Sequence, residues 1–534
     1  MTALRSTKPK LKPVPIPPEP RPLPDGMAEV GPSHRLLWLS LAAISFVLHL
    51  AVLTRYGWFR DEFYYVVCAR HLAWGYVDQP PLSVALLAGI RALAGESLVA
   101  IRIAAALATS AAVFLTARLA ARLGGLRYAQ MLAGALLLLA PVVLGVGRFY
   151  SMNAFDLLLW TMAATALVDV VREPGWGRWL WLGVVMGLGL LNKISMLWFG
   201  LGLGVGLVVL PRGRKLIGLP CIAAFVLALA IFTPHLVWQS KHGWPTLEFM
   251  RNATGLKMLA VSPLQFLLEQ FRVMGFANVL VYLPGLLYGL FSRTARPWRI
   301  LGVLFLSVAG LLIAAGSSRA SYLAVAYPPL FALGGLAWER WTAGRDRWVR
   351  EPFLALVALL GLPMIPFALP VLPVDLYLKY QSALGQRPTT EERKQVGPLP
   401  QGYADMFGWP ELVAEVEKAA ARLTPEERAH AVVFGQNYGE ASAVNVLGKR
   451  LGLPPAVSGH NNYALWGPGD WDGKAMIIIG GDPADNAQFF ESVERVGVWS
   501  HPYAMPYERG LDISIGRGFR GSPAEVWARL RHFG

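Results

Sequence analysis

Long apolar blocks separated by short charged turns organise the first two thirds of this chain. A helix needs about 20 apolar residues to cross a bilayer. Runs of that kind fall near 36–54, 98–117, 128–147, 154–171, 179–191, 195–210, 216–238, 275–291, 300–316, 320–338 and 352–370. The pattern predicts a polytopic α-helical membrane protein with about eleven transmembrane helices, or as many as thirteen. The runs 179–191 and 195–210 are short and crowd around Asn192 and Lys193.

Beyond residue 370 the periodicity changes. Positions 412–423 read as an amphipathic helix, with Glu411, Glu415, Glu417 and Lys418 among the polar positions. Positions 431–434 and 476–479 read as short buried strands, the second closed by Gly480 and Gly481. Alternating with helices at 441–451 and 487–496, they predict a small α/β domain. The expected organisation is a basic, Pro-rich disordered tail over 1–35, a membrane domain over 36–370 and a soluble domain over 371–534. The tail has no apolar h-region, so it is not read as a signal peptide, and the first span acts as an uncleaved anchor.

Composition agrees with the membrane reading. Of the 534 residues, 54% are hydrophobic and only 16% charged, against about a quarter in soluble domains. A net charge of +15 could suggest nucleic acid, but the cations sit in short loops between apolar blocks. Those loops hold Arg118, Arg122 and Arg127; Arg172 and Arg178; Arg212, Arg214 and Lys215; Arg293, Arg296 and Arg299; then Arg340, Arg345, Arg347 and Arg350. The alternate loops hold Asp61, Glu62, Asp78, Glu96, Glu248 and Glu269. This alternation predicts a cytoplasmic N-terminus, and an odd number of spans puts the C-terminal domain outside, in the periplasm. Cys68 and Cys221 lie far apart and offer neither a disulfide framework nor a CxxC metal site.

The first external loop, 55–97, is long and rich in aromatics: Phe59, Phe63, Tyr64, Tyr65, Trp74 and Tyr76. It runs through Pro80 and Pro81 into an apolar stretch, 82–93, too short to span. It reads as an interfacial or re-entrant element. A second amphipathic external segment, 239–274, carries His242, Trp244 and Phe249. Long loops without a domain of their own are often functional.

Chemistry concentrates on these outer segments. Arg60-Asp61-Glu62 places two carboxylates at the membrane surface, where a carboxylate can serve as general base toward a hydroxyl. An interfacial charge cluster neutralised by Arg60 is the alternative. Asp78 and Gln79 are held by the diproline that follows, although Asp78 can equally be a helix-start residue. Arg148, Asn153 and Asp156 lie at the outer end of one hairpin of spans, and Asp156 either favours a helix N-terminus or acts in a site. Lys193 is a cation on the outer side; it either meets a phosphate or snorkels to headgroups, and Arg272 and Arg319 pose the same choice. His235 and His242 show no metal-ligand spacing, so no metal site is assigned and a divalent cation stays open. The glycines of 200–206 follow no strand and pack helices.

Several stretches occur together and in order. They are Trp58-Phe59-Arg60-Asp61-Glu62, then Ala73-Trp74-Gly75-Tyr76-Val77-Asp78-Gln79-Pro80-Pro81-Leu82, then Gly147-Arg148 with Asn153 to Trp160. Leu190-Leu191-Asn192-Lys193, the segment from Trp238 to Pro245, and Tyr322 to Pro329 follow. Over about 36–370 the chain resembles the GT-C membrane glycosyltransferases, in the bacterial branch of the protein O-mannosyltransferase and aminoarabinose-transferase superfamily. The stretches Asn437-Tyr438-Gly439-Glu440-Ala441 and Gly452-Leu453-Pro454-Pro455 look like the external domain of that branch.

The resemblance implies transfer of a sugar from a polyprenyl-phosphate donor to a lipid, glycan or protein acceptor on the outer face of the cytoplasmic membrane. It implies Asp61 as general base, with Glu62 and Asp156 as supporting acids. Where relatives have Lys or His before the prolines this chain has Gln79, so Arg148 or Lys193 would supply the charge at the donor phosphate. Asp78, Tyr65, His242 and Trp244 are the expected substrate contacts. Two other classes stay open. A transporter or lipid flippase would show paired broken helices and symmetric halves, and a catalytically silent scaffold would recognise glycan through its external domain.

Overall fold

The computed structural model describes residues 29–534. The tail expected over 1–35 therefore lies mostly outside the described residues. The membrane part begins with α1 (Arg35–Leu50), α2 (Arg60–Cys68), α3 (Leu82–Ala94) and α4 (Leu98–Arg122). It continues through α5 (Arg127–Leu139), α6 (Pro141–Gly147), α7 (Met152–Arg172), α8 (Trp176–Asn192) and α9 (Met196–Val209). Among the described residues, five helices are long and apolar enough to cross a membrane, or up to eight if each bent pair counts once. Eleven spans were expected. Helices α1, α8 and α9, of 16, 17 and 14 residues, are shorter than those five and fall outside their count.

The bends have local causes. Pro141 follows α5 and turns α6 by 63°. Gly275, at φ +96°, turns the chain by 116° between Pro263–Met274 and Phe276–Phe291. Only glycine adopts that backbone readily. The first helix of this pair leaves Leu264, Leu267, Leu268 and Phe271 exposed, the pattern of a helix lying along an apolar interface.

The C-terminal part is built on a five-stranded sheet in the order β2-β1-β3-β5-β4. Its strands are β1 (Val432–Phe434), β2 (Ala456–Val457), β3 (Ala475–Ile479), β4 (Phe490–Trp499) and β5 (Leu511–Phe519). The first three pair in parallel and the last two join antiparallel. β3 is buried along its whole length because helices and side chains cover both of its faces. Of positions 487–496, expected to be helical, 490–496 form most of β4 instead. Val493, Val496 and Val498 are β-branched, and pairing to β5 sets Phe490 opposite Phe519 and Glu494 beside Arg517.

The two parts are not separate bodies. One hydrophobic core joins Phe63, Tyr64 and Val67 of α2 to Trp409, Leu412, Val444, Ile477 and Trp499. Helix α2 is thus clamped between the membrane helices and the sheet domain.

Candidate active site

Burial picks out one residue on α2. Arg60 and every residue from Glu62 to Cys68 are buried, whereas the Asp61 side chain keeps 35% of its exposure. At the first turn its carboxylate also meets the positive end of the helix dipole. Tyr438, from the sheet domain, donates its hydroxyl to Asp61 Oδ1 at 2.8 Å. Arg60 Nε lies 3.6 Å from the same oxygen. The rest of the guanidinium turns toward the sheet domain, donating to Tyr507 at 2.6 Å and approaching Asp405 (3.6 Å) and Glu508 (3.9 Å).

Glu62 does something else. Both Glu62 and Arg102 of α4 are fully buried. Arg102 donates from Nε to Glu62 Oε1 at 2.9 Å and from Nη2 to Oε2 at 2.7 Å. The backbone N–H groups of Tyr150 and Phe59 donate to the same two oxygens, both at 2.9 Å. Arg102 also caps the carbonyls of Leu53 (2.6 Å) and Gly57 (2.7 Å). The pair is desolvated and its hydrogen-bonding capacity is used. It anchors α2 to α4 with no exposed side-chain surface.

Asp78 lies on the same side as Asp61. Its carboxylate accepts from Tyr64 (3.1 Å) and from Asn461 (3.3 Å), and burial pushes it up to about 6, with Asp61 adding to the rise. The Tyr64 and Tyr438 rings sit 4.7 Å apart between the two acids. Asn461 holds a φ of +49°, a costly backbone for a non-glycine residue, and strain of this kind gathers at functional sites. Beside this group opens a cavity of about 300 Å³ lined by Arg60, Lys257, Arg393, Lys394, Tyr438, His460 and Tyr507, among others. Lys394 Nζ lies over the Tyr507 ring at 3.9 Å, and Lys257 is 3.7 Å from Glu392.

The other expected residues are distributed more widely. Asp156 is buried, accepts from Ser195 at 2.8 Å and lies 3.5 Å from Lys193, which donates to Asn153 at 2.8 Å. This cluster ties α7 to the turn between α8 and α9. Tyr65 reaches it from α2 by accepting from the Met152 N–H at 2.9 Å. Arg148 donates to the carbonyls of Ala368 (2.7 Å) and Gly402 (2.5 Å) and stacks on Tyr403. Gln79 is buried with its Nε2 unpartnered. His242 and Trp244 are exposed, and His242 stacks on Trp238 at 4.1 Å. The cavity beside Arg60 and Tyr438 is lined by neither of them. Among the described residues no group of three His, Cys, Asp or Glu is placed to hold a metal ion.

Three carboxyls, Asp405, Glu440 and Glu508, are buried near a single guanidinium, Arg60. Burial pushes Asp405 and Glu508 up, and Arg60 offsets only part of the rise. Glu440 is raised to about 8 by burial and then by Glu508. Because the folded state holds this proton more tightly than the unfolded chain, stability falls as pH rises from about 4 to about 8. Glu440→Gln is therefore expected to change little at pH 5. At pH 9 it should stabilise the folded protein by on the order of 2 kcal/mol, read as a higher melting temperature in detergent. Equal shifts at both pH values would refute the assignment.

Sequence reasoning missed Tyr438, Asn461, Asp405, Lys257 and Lys394 as members of this group. One signal existed. Asn437 is an N-cap whose side chain accepts from the Gly439 and Glu440 N–H groups at 2.8 and 3.1 Å, so Tyr438 opens a helix. A Cβ on Gly439 would lie 2.5 Å from Arg60 Cγ, so glycine is what lets this helix close on α2.

Similarity searches agree with this architecture. The sequence profile of the dolichyl-phosphate-mannose-protein mannosyltransferase family matches residues 78–238. A lipid A galacturonosyltransferase, RgtD of Rhizobium johnstonii, is 24% identical over 242 residues, which is 44% of this chain and 51% of that protein. The chain thus spans about half the length of this curated relative. Crystal structures of ArnT from Cupriavidus metallidurans, with undecaprenyl phosphate and without it, superpose with a TM-score of 0.56 over 90% of this chain and 97% of theirs, at 15 and 16% identity. The class is therefore defined: this is a multi-pass membrane protein with the GT-C glycosyltransferase fold. Within that class, the family profile and RgtD bear out the resemblance carried by the ordered motifs.

Proposed function

We propose that the protein transfers a sugar from a polyprenyl-phosphate donor to the hydroxyl of a lipid, glycan or protein acceptor, with Asp61 as general base. The observation that carries this reading is the isolation of Asp61. It is the one residue of α2 left unburied, and its two partners, Arg60 and Tyr438, line a cavity that also holds Lys257, Arg393 and Lys394. ArnT, of the same fold, was crystallised with undecaprenyl phosphate, and RgtD is named for transfer to lipid A, both in keeping with lipid-linked chemistry.

The reaction is a single displacement. The acceptor oxygen attacks the anomeric carbon, its proton passes to Asp61, and the bond from that carbon to the phosphate oxygen breaks. The lipid phosphate leaves with the bonding electrons, and the sugar is inverted. Charge develops on the departing phosphate, so fixed cations nearby lower the barrier. Arg60, Lys257 and Lys394 line the cavity, whereas Arg148 and Lys193 lie outside it, held by carbonyls and by Asn153 and Asp156. We assign the phosphate to the cavity cations. The site lies on the periplasmic face of the inner membrane under the orientation that the charge alternation favours.

The test is transfer of label from a radiolabelled polyprenyl-phosphate sugar by the purified protein in bilayers. Formation of a labelled acceptor is expected; no product from any lipid-linked donor would overturn the reading. Lys394→Ala should lower kcat/KM by roughly ten- to hundredfold, with Lys193→Ala much less affected. The reverse order would return the phosphate to Lys193.

A further inference from the structure

A second cavity lies far from Asp61. A groove of about 760 Å³ runs between α1, α4 and α7, walled by apolar side chains such as Leu39, Phe46, Leu107, Phe114, Leu158 and Met162. It continues into a hollow of about 440 Å³ that shares Leu39, Phe114 and Arg118 with it and adds Arg35 and Arg122. From Arg102, which holds Glu62, to Arg118 is sixteen residues along α4, or about 24 Å. The hollow is therefore at the opposite end of the membrane part.

Shape and charge both specify the occupant. Leu107 and Arg118 are eleven residues apart on one helix, about 16 Å. One leaflet of a bilayer is about 15 Å of hydrocarbon. The apolar groove is thus as long as a single leaflet, and arginines stand where the headgroups begin. Arg122 is paired with Asp169. Among the described residues, Arg35 and Arg118 have no carboxylate partner, so the end of the groove carries uncompensated positive charge. Basic pockets between spanning helices favour anionic headgroups. The chain's own residues 1–28 do not complement it: five Lys and Arg against two Asp and Glu give them a net +3.

We propose that this groove binds one anionic glycerophospholipid, with its acyl chains along Phe114 and Met162 and its phosphate at Arg35 and Arg118. The site is independent of the transferase reading.

The probe is phosphatidylglycerol against phosphatidylcholine, added at equal concentration to the full chain in detergent and counted by native mass spectrometry. Two arginines near an anionic headgroup correspond to a preference of roughly thirtyfold for phosphatidylglycerol. Arg35→Ala with Arg118→Ala should abolish it, and Arg212→Ala, on a different loop of the same face, should keep it. Equal retention of the two lipids by the wild type would overturn the proposal, as would an undiminished preference in the double variant. Phe114→Trp, with both arginines in place, gives a second readout. Brominated phosphatidylglycerol should quench its fluorescence several-fold more than brominated phosphatidylcholine, and equal quenching counts against the site. Added inorganic phosphate should leave that quenching unchanged; competition by phosphate would make the site one for a free anion and refute the lipid.

Discussion

Asp61→Asn is expected to lower sugar transfer by about 10²- to 10⁴-fold, the usual worth of a positioned general base, while leaving the fold intact. Asparagine keeps the Oδ1 atom that accepts from Tyr438 at 2.8 Å, so the contact between α2 and the sheet domain survives. What disappears is the ability to take the acceptor proton. Arg60 loses a 3.6 Å ion-pair partner, but Asp405, Glu508 and Tyr507 still hold it. The measurement is transfer rate together with melting temperature. Wild-type turnover by a folded Asn variant would remove Asp61 from the mechanism. Tyr438→Phe is the comparison: the base remains but its orientation loosens, so a smaller loss of roughly tenfold is expected.

Arg102→Met is expected to have the largest effect on stability. Glu62 would stay fully buried, with its strongest donor gone and the Leu53 and Gly57 carbonyls uncapped. Removing one partner of a buried pair costs about 3–5 kcal/mol, enough to deplete folded protein. Pairing it with Glu62→Gln removes the orphaned charge and should recover part of the loss. The readout is thermal unfolding of purified protein, with the folded yield beside it. An Arg102→Met protein as stable as wild type would show that water or another cation reaches Glu62.

These two carboxylates are neighbours in sequence and opposite in surroundings, Asp61 partly exposed and Glu62 fully buried. The apolar blocks, the acidic pair of Arg60-Asp61-Glu62 and the short helix after Pro80-Pro81 were legible because each depends on local rules of hydrophobicity, charge and proline geometry. The difference in burial and partners between Asp61 and Glu62 was not. Arg102 lies forty residues on, inside an apolar span, and nothing local ties it to Glu62. Tyr438 is 377 residues from Asp61; its motif could be noticed, but its partner could not. Lys193 and Asp156, by contrast, were each marked separately and prove to be neighbours at 3.5 Å. The strand β4 was misread because its pairing with β5 outweighs the local pattern, a tertiary override that periodicity does not register.

The core shared by α2 and the sheet domain has a consequence for the order of events during biosynthesis. Asp61 emerges from the ribosome among the first elements, whereas Tyr438 and the strands beneath it come nearly four hundred residues later. Until that last portion folds against α2, Phe63, Tyr64 and Val67 lack the part of their cover that Trp409, Leu412, Val444 and Ile477 supply. A chain that stops short of Asn437 therefore leaves Asp61 without the Tyr438 hydroxyl that holds its Oδ1.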